Sequence, residues 1–306
     1  MTDVLTFGET MAVLRAMAPG PLRLAGSLRL GVAGAESTVA IGLARLGHAA
    51  SWVGRVGDDE FGRLVLDRLR AERVDITYAS TDDAPTGLLV REQRTADLAR
   101  VRYYRSGSAG SRLSVDDLVP ALADGARLLL LSGITPALSA SALAAARAAL
   151  AHAVASGWAV CLDVNYRATL WSRQEAAAVL RPLASSATIV VGDADELSLV
   201  GGVDELLRGG VREVVVKAGA RGASVSTVDG SWSVPAAPVT VVDVVGAGDA
   251  FVAGYLSGWL DGLDAAARLA RGAVVAGFAV ACVGDWEGLP TRAELDLAGP
   301  PGTTVR

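Results

Sequence analysis

Short apolar runs without polar alternation recur along this chain, with helical patterns between them. Val4–Phe7, Ser51–Val56, Leu128–Leu131, Val160–Asp163, Ile189–Val191 and Val214–Lys217 read as strands. A strand with one wet face alternates apolar and polar residues, whereas strands of a parallel sheet covered on both faces do not. The 3.6-residue period predicts helices over Ser37–Leu46, Glu60–Glu72, Ser139–Ser156 and Gln174–Leu183. The expected fold is therefore α/β, a doubly wound and mostly parallel sheet with helices on both faces. Ligands of such sheets bind beyond the carboxyl ends of the strands. Residues of about 12–33 and 86–105 break the rhythm, with short strand-like pieces and no helix long enough for a crossover. They are read as a small β-sheet lid, contributed by two separate segments of a single domain spanning 1–306. Asp229-Gly230 between two more strand-like pieces is a hairpin signal. A Gly/Pro-rich tail follows Gly299 and is expected to fray.

Composition excludes several kinds of chemistry. The net charge is −5 and no basic run occurs, which argues against nucleic acid or an anionic membrane as partner. Apolar stretches are interrupted well before the ~20 residues that span a bilayer. The start of the chain has no basic n-region and cleavage site, so a cytoplasmic protein is expected. Cys161 and Cys282, the only cysteines, lie in apolar runs and read as small buried residues without a disulfide framework. His48 and His152 are the only histidines, both expected at the surface. A Ser-His-Asp apparatus or a histidine-rich metal site is thus disfavoured, and acid–base work falls to carboxylates.

Asp243 to Phe251, reading DVVGAGDAF, carries the sharpest chemical signal. Gly246 and Gly248 allow a tight turn and close approach of backbone to a ligand. A helical face follows at Phe251, Gly254, Tyr255, Gly258 and Trp259. The free N–H groups of that helix start suit a phosphate or a developing negative charge. Asp249 would repel a phosphate there, unless it removes a proton from a hydroxyl that attacks the phosphorus. A plain helix cap is the competing explanation. Two weaker glycine signals accompany it. Gly31 to Thr38 precedes a helix, and Lys217-Ala218-Gly219-Ala220-Arg221-Gly222 ends a strand and can cradle an anion.

Together these segments resemble the ribokinase-like (PfkB) sugar kinases over nearly the whole chain. Tyr103 to Ser111, Leu131 to Leu138 and Leu162 to Arg167 with Leu170-Trp171 look like the 2-keto-3-deoxygluconate kinase branch. The resemblance implies that Gly246, Ala247 and Gly248 form an anion hole and that Asp249 is the catalytic base. It implies substrate contacts from Gly34, Ala35, Thr38, Tyr103, Arg105, Arg167 and Asp249. A carboxylate substrate calls for a planar cationic fork, which Arg105 and Arg167 could supply. Nucleotide contacts are implied for Asn165, Arg167, Lys217, Gly219, Gly222, Gly246 and Gly248, with an adenine slot near Ala276 to Val283. Mg²⁺ would act through Asp193 and Glu196, where an acidic helix start is the rival explanation. A monovalent cation (K⁺) would sit beside Asp243 and Val245, and the lid would pair two copies into a dimer.

Ala33, Thr38 and Leu89 depart from the family pattern at positions that usually carry Gly, Asn and Tyr. A lost hydrogen-bond partner can change discrimination by orders of magnitude. The expected activity is ATP-dependent phosphorylation of the terminal hydroxyl of 2-keto-3-deoxy-D-gluconate. Alternatives are a kinase for a neutral sugar such as ribose or fructose, a kinase for a stereoisomeric keto-deoxy acid, or a non-catalytic sugar or nucleotide sensor. A Rossmann-type dehydrogenase is disfavoured, because no Gly-x-Gly-x-x-Gly follows the first strand.

Overall fold

The computed structural model describes residues 2–95 and 98–297. The tail after Gly299 lies outside the described residues. Strands β1 (Thr2–Phe7), β2 (Met11–Ala16), β3 (Leu28–Ala33), β4 (Ala50–Val53), β5 (Arg55–Gly57), β6 (Ser80–Asp82) and β7 (Leu88–Gln93) come first. They are followed by β8 (Ala99–Tyr104), β9 (Ala126–Ser132), β10 (Ala159–Asp163), β11 (Ile189–Gly192), β12 (Glu213–Lys217), β13 (Ala223–Thr227) and β14 (Gly230–Val234). The main sheet has eight strands in the order β14-β13-β12-β11-β10-β9-β1-β4. From β4 to β12 all pairs are parallel, and the hairpin β13–β14 closes one edge antiparallel.

Neighbouring residues within a strand feed opposite cores. Val4, Leu128, Leu130, Cys161 and Ile189 pack on one face beneath the helices Ala35–Arg45, Ala247–Leu260 and Ala265–Val280. Leu5, Phe7, Leu129, Leu131 and Leu162 pack on the other beneath Val115–Asp124, Ala140–Ala155 and Arg173–Ser185. Both faces are therefore dry, which explains why these strands lack polar alternation.

The segments around 12–33 and 86–105 meet in a second sheet, ordered β3-β2-β7-β8. Its outer pairs are antiparallel and its central pair β2–β7 is parallel. Chain order reverses at β1, which lies between β9 and β4, so the crevice beyond the strand ends opens there.

Three expectations need correction. The run Ser51–Val56 is not one strand. It breaks at Gly54, where a Cβ would meet the Trp52 ring at 2.2 Å, and β5 turns away to pair with β6. Cys161 is buried but Cys282 is exposed, just past the end of its helix. His48 is not a surface residue. Its Nε2 lies 3.0 Å from Ser257 Oγ and 3.0 Å from Arg292 Nη2, while His152 is half-buried edge-on to Trp158.

Helix Ala247–Leu260 is fixed by glycines against helix Ala265–Val280. A Cβ on Gly254 would stand 2.8 Å from the Arg271 carbonyl oxygen and 2.9 Å from Gly272 Cα. Gly254→Val should therefore force the helices apart and cost about 1–3 kcal/mol, the usual range for overpacking. Chemical denaturation checks this, and wild-type stability in the variant would refute the close-packing account.

Candidate active site

Parallel strands end in a row, and the residues just past them converge. Glu9 follows β1, Ile134 follows β9, Asn165 follows β10, Asp193 follows β11 and Lys217 ends β12. All five line one cavity of about 550 Å³. Helix Ala247–Leu260 supplies its floor through Gly246, Ala247, Gly248 and Asp249. The second sheet covers it with Met11, Val13 and Arg15 of β2, Leu89 and Arg91 of β7, and Val101 and Tyr103 of β8, followed by Arg105. Each strand presents every second residue to the cavity, as a pleated sheet must.

Gly246 caps the helix with φ 74°, and a Cβ there would lie 2.0 Å from the Asp285 carbonyl oxygen. Only glycine fits. The first N–H groups of a helix have no intrahelical partner, and here they border the cavity. Beside them Lys217 Nζ donates to Asp163 Oδ1 at 2.7 Å. Burial would lower the Lys217 pKa, but Asp163 and Glu196 outweigh it and raise it. Asn165 holds φ 40°, a left-handed conformation that Asn tolerates better than most residues. Its amide reaches Asp163 at 3.4 Å and Asp249 at 3.5 Å.

Burial, then repulsion from Asp163, pushes the Asp249 carboxyl up to about 6. Such a group is ionised at neutral pH yet basic enough to accept a proton. Glu196 is likewise raised, by burial and then by Asp163. Asp163, Glu196 and Asp249 thus surround a single ammonium, and that surplus of negative charge suits a divalent cation. Mg²⁺ needs only one or two carboxylates alongside phosphates and water. Asp193 and Glu196 also form a reciprocal helix cap, and Glu196 Oε1 accepts from the Tyr166 N–H at 2.9 Å. Among the described residues no group of three or more His, Cys, Asp or Glu side chains is arranged as a self-sufficient metal site.

Of the residues singled out in the sequence, Gly34, Ala35, Tyr103, Arg105, Asn165, Arg167, Asp193, Glu196, Lys217, Gly219, Gly246, Ala247, Gly248 and Asp249 all line this cavity. Thr38 does not. It is buried in its helix, and Glu36, two residues earlier in the same turn, faces the cavity instead. Gly222 belongs to a neighbouring apolar cleft of about 770 Å³, walled by Ala236, Val239, Phe251, Ala276, Gly277 and Val280. The two cavities share Lys217, Gly219, Val244, Ala247 and Gly248, so they meet at the glycine turn.

Sequence reading missed Glu9, Arg15, Glu36, Arg91 and Asp285, which also line the first cavity. Glu9 is fully buried and takes Arg105 Nε at 2.7 Å and Nη2 at 2.5 Å. Arg15 Nε and Nη1 are buried without a hydrogen-bond partner among the described residues. Arg91 grips Asp243 with both ends of its fork, at 2.6 and 2.9 Å. Val245 and Gly284 N–H groups also donate to Asp243, at 3.2 and 3.3 Å. Its oxygens are filled, so that carboxylate does not fit as a ligand for a monovalent cation. A lone acidic residue before a glycine loop carries no hint of so distant a partner. Glu36 had a faint signal, lying two residues after Gly34 in the first turn of the helix.

A glycine turn joins an apolar cleft to a polar, arginine-lined cavity on a doubly wound sheet, an arrangement suited to a nucleotide meeting a polar substrate. The chain belongs to the pfkB family carbohydrate kinases, whose pattern it matches over residues 1–292. It is 36% identical to a 2-dehydro-3-deoxygluconokinase of Bacillus subtilis (strain 168), covering 96% of this chain and 94% of that one. A 2-dehydro-3-deoxygluconokinase of Thermoproteus tenax is 35% identical, with 97% and 94% covered. The structure is similar, with a TM-score of 0.90 and 25% identity, to a putative Ribokinase II from E. coli in complex with ATP and Mg²⁺. That likeness covers 97% of this chain and 98% of the other.

Glu36 offers a test of the cavity's electrostatics. Burial pushes its carboxyl up to about 7, against the opposing hydrogen bond from Thr135. The folded protein therefore keeps a proton that the unfolded chain releases, so stability drawn from Glu36 fades as pH rises through about 7. Glu36→Gln cannot ionise. Its melting temperature should gain on wild type between pH 5 and pH 8, and an equal gap at both pH values would count against the buried, protonated carboxyl.

Proposed function

We propose that this carbohydrate kinase transfers the γ-phosphoryl group of ATP to the terminal hydroxyl of 2-keto-3-deoxy-D-gluconate. The observation that carries this reading is Asp249, lying in one cavity with Arg105 and Arg167 and at the glycine turn shared with the apolar cleft. Kinship with 2-dehydro-3-deoxygluconokinases supports the substrate. Adenine fits the apolar cleft, and its phosphates extend over Gly219 and Lys217 to the helix start at Gly246–Gly248. Asn165 and Arg167 border the same path.

The sugar acid lies against Gly34 and Ala35 under the second sheet, with its carboxylate toward Arg105, Tyr103 and Arg167. Glu9 fixes the orientation of the Arg105 fork. Asp249 accepts the proton of the hydroxyl as the new O–P bond forms and the bond to the ADP oxygen breaks. Charge developing on the transferred group meets the helix N–H groups and the Lys217 ammonium. Asp193 and Glu196 are the residues that would hold Mg²⁺ through water. When bound, the metal supplies charge neutralisation on the phosphates. Closure of the second sheet over the sugar excludes water from this step. Exposed Leu28, Leu30 and Tyr104 on the other face of that sheet support pairing with a second copy of the chain.

Coupled ADP release with a panel of sugar acids and neutral sugars tests the assignment. Asp249→Asn should lower kcat by about 10²–10⁴-fold, the worth of a general base. Near-normal turnover in the folded variant would exclude Asp249 as the base. Because an ionised Asp249 is required, kcat/KM should fall with unit slope as pH drops through about 6.

Arg105→Lys keeps Glu9 paired but loses the planar fork. The KM for the sugar acid should rise about tenfold or more, as when a charged hydrogen bond is lost, with little change for any neutral sugar accepted. Equal effects on both would favour a neutral-sugar kinase.

A further inference from the structure

The second sheet does more than cover the sugar. Arg91 of β7 reaches across the cavity to Asp243, which opens the loop leading to Gly246. Asp243 thereby joins three parts of the protein. Its Oδ1 accepts from Arg91 Nη2 and the Val245 N–H, and its Oδ2 from Arg91 Nη1 and the Gly284 N–H. Gly284 precedes Asp285, whose carbonyl packs on the Gly246 turn. The pair is largely hidden from water, with side-chain exposures of 12% and 4%. A carboxylate has about four acceptor sites, and here all four are taken. No site on it remains for a metal ion. A bidentate guanidinium supplies full positive charge together with a fixed direction, which a spherical ion does not.

We propose that Arg91 is a positioning residue for phosphoryl transfer. Its guanidinium holds the Asp243–Gly246 loop in register with the second sheet and provides the charge that a monovalent cation would otherwise bring. Two consequences follow. The anion hole is fully organised only when the second sheet is docked, and turnover is independent of K⁺. This rests on the kinase reading of the same cavity.

The test uses the full chain with Mg²⁺-ATP and the sugar acid in potassium, sodium or tetramethylammonium chloride at equal ionic strength. Wild-type kcat should be the same in all three salts. Arg91→Gln should lower kcat by about 10²-fold, the scale of a misplaced reacting group, with the sugar KM little changed. Arg91→Lys should recover part of the loss through charge alone. Asp243→Asn, which removes the charge and leaves a single acceptor oxygen opposite the Arg91 fork, should resemble Arg91→Gln. A wild-type kcat that climbs steeply with K⁺, or an Arg91→Gln protein that turns over normally, would overturn the proposal. Should Arg91→Gln fail to fold, the wild-type salt comparison and Asp243→Asn decide the matter. If the sugar acid yields no ADP at all, the substrate assignment fails, and the same comparison is run with whichever sugar of the panel is phosphorylated.

Discussion

The turn at Gly246 is the constraint on which the site depends. Its positive φ and the Asp285 carbonyl at 2.0 Å from any Cβ leave room for no other residue. The turn starts the helix Ala247–Leu260 at the meeting point of the polar cavity and the apolar cleft. Everything chemical about the cavity is referred to that point. Lys217 flanks Gly248, Asp249 follows it by one residue, and Asp243 precedes the turn by three. The rest of the fold keeps the turn in place. Gly254 and Gly272 let the two long helices approach closely, and the sheet beneath offers the ends of five parallel strands.

Charge in the cavity is arranged by pairing rather than by a simple excess of one sign. Glu9 holds Arg105, Asp163 holds Lys217 and Asp243 holds Arg91. Each pair is at least partly desolvated, so its worth is mainly directional. It fixes where a donor points, since desolvation offsets much of the attraction. Arg167 and Arg15 are the cations of the cavity without an acidic partner in an ion pair among the described residues. Arg15 carries two buried unpartnered nitrogens. Asp249, Glu36 and Asp285 carry the opposite imbalance, with carboxyls raised to about 6, about 7 and about 7, chiefly by burial. An anionic sugar and a metal–nucleotide complex together redress both imbalances.

Much of this was legible in the chain, for reasons that differ by element. The strands β1, β9, β10, β11 and β12 announce themselves because burial on both faces removes polar alternation. The glycine turn is legible because its residues are contiguous and only glycine satisfies the geometry. The second sheet was readable as strand-like pieces, although its parallel centre, β2 beside β7, joins segments over seventy residues apart. Thr38 misled because a helix rotates its side chains by about 100° per residue, and one face points into the core. Glu36 lies on the face that meets the cavity. Asp193 and Glu196 form the reciprocal helix cap of one reading, and both line the cavity wall where the other reading would use them.

The sequence alone determined what local stereochemistry controls: the doubly wound α/β rhythm, the tight turn at Gly246, and the carboxylate next to it. Those signals are short-range, so neighbouring residues suffice to encode them. Tertiary structure alone decided which charges meet. Arg91 is 152 positions from Asp243, Glu9 is 96 from Arg105, and Asp163 is 54 from Lys217. Coulomb and hydrogen-bond energies depend on distance through space, and only the folded sheet brings those side chains within 3 Å of one another.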